Sequence, residues 1–403
     1  SSFRWNENYQ RSLEFWKKYF SYQRLRPISY KNDDDIRESL PKVDTHSGYY
    51  WIVSGKKSKG ENMEGMYKTY LNEEKLALEH GTFSKPILLG FRTQASGEFE
   101  DDGSQTGTCK HKLRVVSMID LIVIIAELKF AKPFQKFLSS TSVYAGGKDE
   151  KLTSSFINNW RSKWSKFISI DYSSFDQTIS SWLIEDAFDV IKSCFEMTGD
   201  EKKLWDVIVH DFIHKDFILN EGILHSDKGV PSGSMFTQIV DSIVNLIVIQ
   251  TYLFSIGQEG NMMAMGDDNI IFTNNTVSME PMASYISKNF GLTVKVDDKS
   301  NEGSTSEWPK FLSRYWTPAG CWRHPNQLIS RMLFPERFRA YNDKVGPEHV
   351  LYAYLLSYER GMGELFDAIA FKKDFPHLTR RYVLQHVDSR YMPNSLRYIL
   401  EYT

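Results

Sequence analysis

The sequence predicts an α+β fold, and three stretches predict it. Residues 262–265 and 270–272 are apolar runs joined by Gly266-Asp267-Asp268-Asn269. Two strand-like runs around such a tip read as a β-hairpin, because Gly, Asp and Asn tolerate the positive φ of a tight turn. Upstream, Gly229-Val230-Pro231-Ser232-Gly233-Ser234 is a flexible loop feeding a long helix that runs to about Ile256. Residues 165–170 read as a strand ending on Asp171, and a helical pattern follows from 180 to 195. At 403 residues the chain exceeds one compact core, so two or three subdomains are expected.

Composition narrows the class. Hydrophobic content of 41%, charged 25% and aromatic 14% describe a soluble globular protein. A net charge of −2 excludes a generic polycation, so any nucleic-acid contact must come from local basic patches. The three cysteines, Cys109, Cys194 and Cys321, lie far apart without metal-ligand spacing, which implies a reducing compartment and no zinc site. The most apolar windows are 118–126 and 239–256. The first is too short to span a bilayer, and the second carries Asp241, Asn245 and Gln250. Both read as buried elements, and no membrane partner is expected. There is no signal peptide, repeat or low-complexity tract, and the opening Ser1-Ser2 without methionine reads as a processed or trimmed form.

In chain order, Trp5, Tyr9, Phe15, Trp16, Tyr19 and Phe20 recur at roughly helical spacing and read as core. Residues 45–60 change texture, through Thr45-His46-Ser47-Gly48-Tyr49-Tyr50-Trp51 to Gly55-Lys56-Lys57-Ser58-Lys59-Gly60. Such a basic, aromatic loop holds phosphates with Lys and bases with rings, or is simply solvated. Lys110-His111-Lys112-Leu113-Arg114-Val115-Val116 alternates cation with apolar residue, as does a strand with one basic face. A row of cations suits a ligand with several phosphates, and equally a strand edge protected by Lys.

Asp171 and Asp176 are five apart, so they do not share one face of a straight strand, whose side-chain period is two. If the strand ends at Asp171 and the chain turns, Asp171 joins Asp267 at a metal while Asp176 faces elsewhere. A plain helix N-cap is the other reading. Two adjacent carboxylates at a hairpin apex suit Mg²⁺, a hard cation that takes one or two carboxylates plus substrate phosphates. On the long helix, Thr237, Asp241 and Asn245 repeat every four residues and form one polar stripe. Buried polar groups are costly without partners, and the stripe reads as functional rather than as an internal hydrogen-bond network. Further on, 282–290 is helix-like, 291–296 strand-like, 297–300 a turn and 311–316 a short strand. Pro347 at a helix start and a helical run over 350–360 follow.

Together and in this order, the segments resemble a viral RNA-dependent RNA polymerase of the right-hand type. Asp171 and Asp176 match the D-x₄-D of motif A, and Ser232, Gly233 and Thr237 match motif B. Gly266-Asp267-Asp268 matches motif C. Gly291-Leu292-Thr293 with Asp298-Lys299-Ser300 matches motif D, and Phe311-Leu312-Ser313-Arg314 matches motif E. Lys110, Lys112 and Arg114 fall where the family has its basic motif F, and residues 45–48 match motif G loosely. The wording from Gly229 to Asn245 is most similar to polymerases of partitiviruses, with picobirnaviruses next, both double-stranded RNA viruses with segmented genomes. One departure is Asp241, where many positive-strand relatives carry Asn.

The resemblance implies fingers over 1–164 with 182–226, a palm of antiparallel strands over 165–181 and 227–318, and a helical thumb over 319–403. It implies two Mg²⁺ ions, with Mn²⁺ as a substitute, held by Asp171 and Asp267 with Asp268 in support. It further implies that Lys112 and Arg114, beside Lys110, hold the incoming triphosphate, and that Lys299 protonates the pyrophosphate. Asp176, with Thr237, Asp241 or Asn245 and the loop residues Ser232 and Gly233, would read the ribose 2′-hydroxyl. Thr45, Ser47, Gly48, Lys56, Lys57, Phe311 and Arg314 would contact template and product RNA. A capsid protein is the expected partner, in the virion interior or host cytoplasm. The rivals are a reverse transcriptase, against which Asp176 argues, and an inactive palm-fold RNA-binding subunit, against which the three core aspartates argue.

Overall fold

Residues 237–255 dictate where the core lies. Ile239, Val240, Ile243, Val244, Leu246, Ile247, Val248 and Ile249 cover every side of the helix Thr237–Ser255, and a helix apolar all round must be enclosed. The computed structural model of the chain describes residues 1–99, 105–296, 301–318, 320–322 and 346, and of 93–99, 105–112 and 322 the backbone only. It divides into two units, one of residues 1–91, 115–146 and 160–307, the other of 92–114, 147–159 and 308–403.

In the first unit, the helices Glu7–Phe20, Ser181–Lys192 and Met279–Phe290 and the strand Gly260–Met265 enclose the central helix. Among the described residues that helix alone is long and apolar enough to cross a membrane, yet 83% of its apolar window is buried inside the protein. Glu7–Phe20 begins where the Asn6 side chain accepts from the Asn8 and Tyr9 amides, a standard N-cap. Its Tyr9, Leu13, Trp16 and Phe20 are buried. Ser12 Oγ and Trp16 Nε1 donate to the Ile247 and Leu246 carbonyls at 2.8 and 3.1 Å, joining the two helices. The aromatic spacing thus marks a core face, with Trp5 (79% exposed) and Phe15 (41%) as exceptions that point outward.

Beside the central helix lies a four-stranded antiparallel sheet, ordered Asn301–Ser304, Lys166–Ser169, Asp268–Thr273, Gly260–Met265. The predicted hairpin is its last pair. Met265 pairs with Asp268, leaving Gly266 and Asp267 as a two-residue turn, with Gly266 at φ +64°, where a Cβ is unfavourable. The strand-like residues 291–296 give a two-residue strand, Thr293–Val294, antiparallel to Tyr172–Ser173. Lys215–Leu219 and Gly222–Ser226 form a hairpin whose first strand also pairs in parallel with Ile87–Phe99, Ile87 opposite Phe217.

Of the second unit, the strands Lys310–Phe311, Arg314–Thr317 and Gly320–Trp322 form a small antiparallel sheet. Arg314 Nη1 lies 3.0 Å from Glu150 Oε1. The predicted basic strand lies within Gln105–Met118, but Leu113 and Val115 remain 59% and 44% exposed, so its apolar side is not a core face. The predicted turn at 297–300 and the helical pattern beyond 322 fall outside the described residues.

Candidate active site

The carboxylates meet where two strands separate. Lys166–Ser169 pairs with Asp268–Thr273 as far as Ile168 opposite Ile271. Beyond that point a side chain takes over the ladder: Asn269 Oδ1 accepts from the Ile170 amide and Asn269 Nδ2 donates to the Ile170 carbonyl, each at 3.0 Å. Asn269, 1% exposed, thereby fixes the backbone that leads into Asp171 against the backbone that carries Asp268. On its other side, the Lys295 amide donates to the Asp171 carbonyl at 2.8 Å and Lys295 Nζ lies 3.2 Å from Asp171 Oδ2.

The central helix holds the turn from within. Ser242 Oγ accepts from the Gly266 amide at 2.8 Å. Asn245 Nδ2 faces the carbonyls of Gly266, Asp267 and Asp268 at 3.2, 3.2 and 3.3 Å, and its Oδ1 accepts from the Tyr172 hydroxyl at 3.1 Å. Asn245 is fully buried and its amide is committed at both ends, so this member of the polar stripe belongs to an internal network after all.

Asp241 behaves differently. It is 4% exposed, its Oδ1 has no hydrogen-bond partner, and its carboxyl meets Asp176. Burial first, then the charge of Asp176 and the hydrogen bond to it, hold Asp241 protonated well above the usual carboxylate range. Asp268 keeps an exposed surface, yet the surrounding protein, then Asp267 and Asp171, push its pKa up to about 7. Three carboxylates that hold a proton on one of their number form the oxygen donor set a hard divalent cation neutralises. The residues present therefore fit Mg²⁺.

The glycine loop is pressed against its surroundings. A Cβ on Gly233 would lie 1.8 Å from the Ser117 carbonyl oxygen, and one on Gly229 (φ +80°) 2.8 Å from that of Asp176. Ser232 Oγ accepts from the Ser117 amide at 2.9 Å, and Thr237 Oγ1 donates to the Pro231 carbonyl at 2.5 Å. Beneath the loop, Ser234 Oγ donates to the buried Glu127, whose pKa burial pushes up to about 7. Lys215, 2% exposed, donates to the carbonyls of Phe212, Ile213 and Gly229.

A family model described as viral RNA-dependent RNA polymerase matches residues 17–359. The chain belongs to that family. The RNA-directed RNA polymerase of Cryptosporidium parvum virus 1 is 34% identical over 167 residues, which is 39% of this chain and 31% of that protein. The one from Atkinsonella hypoxylon virus is 29% identical over 139 residues, 30% of this chain and 20% of that protein. The matched stretches thus cover less than a third of either relative. The crystal structure of a human picobirnavirus RNA-dependent RNA polymerase superposes with a TM-score of 0.67 over 94% of this chain and 71% of its own, at 15% identity. The viral polymerase fold, α+β with antiparallel sheets, is therefore shared.

Within this polymerase fold, Asp171, Asp267 and Asp268 are brought together, and so are Asp176 and Asp241. Several expected RNA contacts are not accessible. Ser47 (0% exposed) accepts from Asn62 Nδ2, Gly48 is packed on the Asp120 backbone, and Phe311 is 2% exposed. Burial turns these three towards internal packing, which sequence texture does not reveal. Thr45 Oγ1 accepts from Lys59 Nζ, Lys56 and Lys57 are exposed, and Arg314 is paired with Glu150. Arg114 is exposed, while the side chains of Lys110 and Lys112, and all of Lys299, lie outside the described residues. Motif reading passed over Asn269 and Lys295. The signals were an amide between Asp268 and the apolar Ile270, and a cation on the open phase of Thr293-Val294-Lys295.

A carboxyl whose pKa is raised by folding contributes stability that is complete below its ordinary value, about 4, and is lost as pH rises through the folded value. For Asp268 that window ends at about 7. In chelator, Asp268→Asn should melt with the parent near the low end and increasingly above it towards the high end. Thermal melts across this range test it, and superimposable curves would remove the proposed repulsion.

Proposed function

We propose that this chain is an RNA-directed RNA polymerase that copies a viral RNA genome for replication and transcription. The convergence of Asp171, Asp267 and Asp268 at the separating strands carries this reading. Asp171 and Asp267, with Asp268 in support, would hold two Mg²⁺ ions, or Mn²⁺. Bound there, the ions supply charge neutralisation for the primer 3′-hydroxyl, the reacting phosphate and the pyrophosphate. Asn245 and Asn269 position those carboxylates without touching substrate. Lys110, Lys112 and Arg114 grip the triphosphate by charge, and the exposed Lys56 and Lys57, with Thr45, meet RNA. Residues 1–164 with 182–226 act as fingers, 165–181 and 227–318 as palm, and 319–403 as thumb. The partner is a capsid protein, in the virion or host cytoplasm.

In an assay with template RNA, Mg²⁺ and four ribonucleotides, the protein should give template-dependent product. Asp267→Asn keeps shape and removes charge, so extension should fall by orders of magnitude while template binding survives. Near-normal extension by that variant would sink the metal assignment.

Lys299 is the proposed acid for the leaving pyrophosphate, and Lys295 is its rival because it already stands beside Asp171. A general acid is worth on the order of 10²–10⁴-fold. Single-turnover incorporation should slow by that order in Lys299→Leu and by less in Lys299→His, which still donates a proton. If Lys295→Leu shows the loss instead and Lys299→Leu does not, the role passes to Lys295.

The ribose reader is Asp241 rather than Asn245. Asp241 is protonated, joined to Asp176 and left with one free oxygen, whereas Asn245 has no spare group. Asp241→Asn should keep the preference for ribonucleotides, because the amide also donates. Asp241→Ala should erode it. The readout is the ratio of incorporation efficiencies for a ribonucleotide and its 2′-deoxy counterpart. An unchanged ratio in Asp241→Ala would return the gate to Asp176 with Ser232 or Thr237.

A further inference from the structure

His214, His225 and Asp227 lie on the hairpin of Lys215–Leu219 and Gly222–Ser226 and at the helix end beside it, in a different sheet from Asp268. His214 caps the helix Gly199–Ile213, His225 sits on the strand Gly222–Ser226, and Asp227 follows that strand directly. All three are exposed, and one ligand atom from each lies within 4.8 Å of the others. Two imidazole nitrogens converge on one oxygen: His214 Nδ1 is 2.6 Å and His225 Nε2 2.8 Å from Asp227 Oδ1. The two rings are nearly parallel, 7° apart, with centroids 6.4 Å from each other.

The second nitrogen of His225 is also engaged. Its Nδ1 lies 2.8 Å from Asp216 Oδ1, and the hairpin register places Asp216 directly opposite His225. A carboxylate on the far nitrogen fixes the tautomer and aims the near one, the arrangement that supports metal-bound histidines. A plain His–Asp ion pair needs one imidazole and one carboxylate. Here two imidazoles share one oxygen and a second carboxylate orients one of them. His210, one turn before His214 with its ring 4.7 Å away, is bonded through Nδ1 to Asp211.

We propose that His214, His225 and Asp227 bind a divalent transition-metal ion, with Asp216 as the positioning residue. Two imidazoles and one carboxylate suit Zn²⁺ and disfavour Mg²⁺, which takes oxygen ligands. The cysteine spacing that argues against a zinc site concerns thiolate sites and does not reach this donor set. Bound metal would tie the helix end to the hairpin and to the chain two residues before Gly229, where the glycine loop starts.

The test is calorimetric titration of Zn²⁺ alone into the full chain, with Mg²⁺ in excess to fill oxygen-only sites. One Zn²⁺ per chain is expected, together with a rise in melting temperature. His225→Ala and Asp227→Ala should each abolish both effects. Asp216→Asn should weaken binding about 10- to 100-fold. His80→Ala, an exposed histidine elsewhere, should change neither. Absence of Zn²⁺ binding by the parent, or unchanged stoichiometry and affinity in His225→Ala and Asp227→Ala, would overturn the site.

Discussion

Asp171, Asp267 and Asp268 repel one another, and a chain free to relax would move them apart. They stay together because each backbone segment is tied by a buried amide side chain. Asn269 ties Ile170, and Asn245 ties the turn. An amide suits both positions because it donates and accepts at once while adding no charge. Leaving a buried donor or acceptor unpaired costs about 1–3 kcal/mol, so both asparagines resist any shift that would relieve the carboxylates. Fixed repulsion of this kind is what makes a site ready for a cation.

Local features were legible in the sequence. A tip of Gly and Asp between apolar runs specifies a hairpin within a dozen residues, and the structure has that hairpin with its turn at Gly266-Asp267. Aromatic spacing likewise placed Tyr9, Trp16 and Phe20 inside. What failed to show was anything decided by the opposite wall. Asp241 and Asn245 occupy one stripe of one helix, and only Tyr172 and the turn carbonyls make Asn245 a strut. Ser47 and Gly48 lie in a stretch with the composition of an RNA-binding loop, yet Asn62 and the Asp120 backbone close over them.

The glycine loop is held in a different way from the apolar core. At Gly233 and Gly229 it meets the Ser117 and Asp176 carbonyl oxygens backbone to backbone, and Ser232 Oγ adds a side-chain contact to the Ser117 amide. An apolar core tolerates exchange of one hydrophobic residue for another when volume is kept. Close backbone approach tolerates nothing larger than glycine.

The central helix carries both the core and the struts of the site. Its apolar faces are enclosed by three helices and a strand, while Ser242 and Asn245 on the same helix grip the carboxylate turn. Hydrophobic collapse around residues 237–255 and assembly of the carboxylate cluster are therefore one cooperative event. A chain in which this helix has not yet been enclosed has no carboxylate cluster at all. Incompletely folded molecules thus lack the acidic cluster altogether, rather than carrying a distorted one.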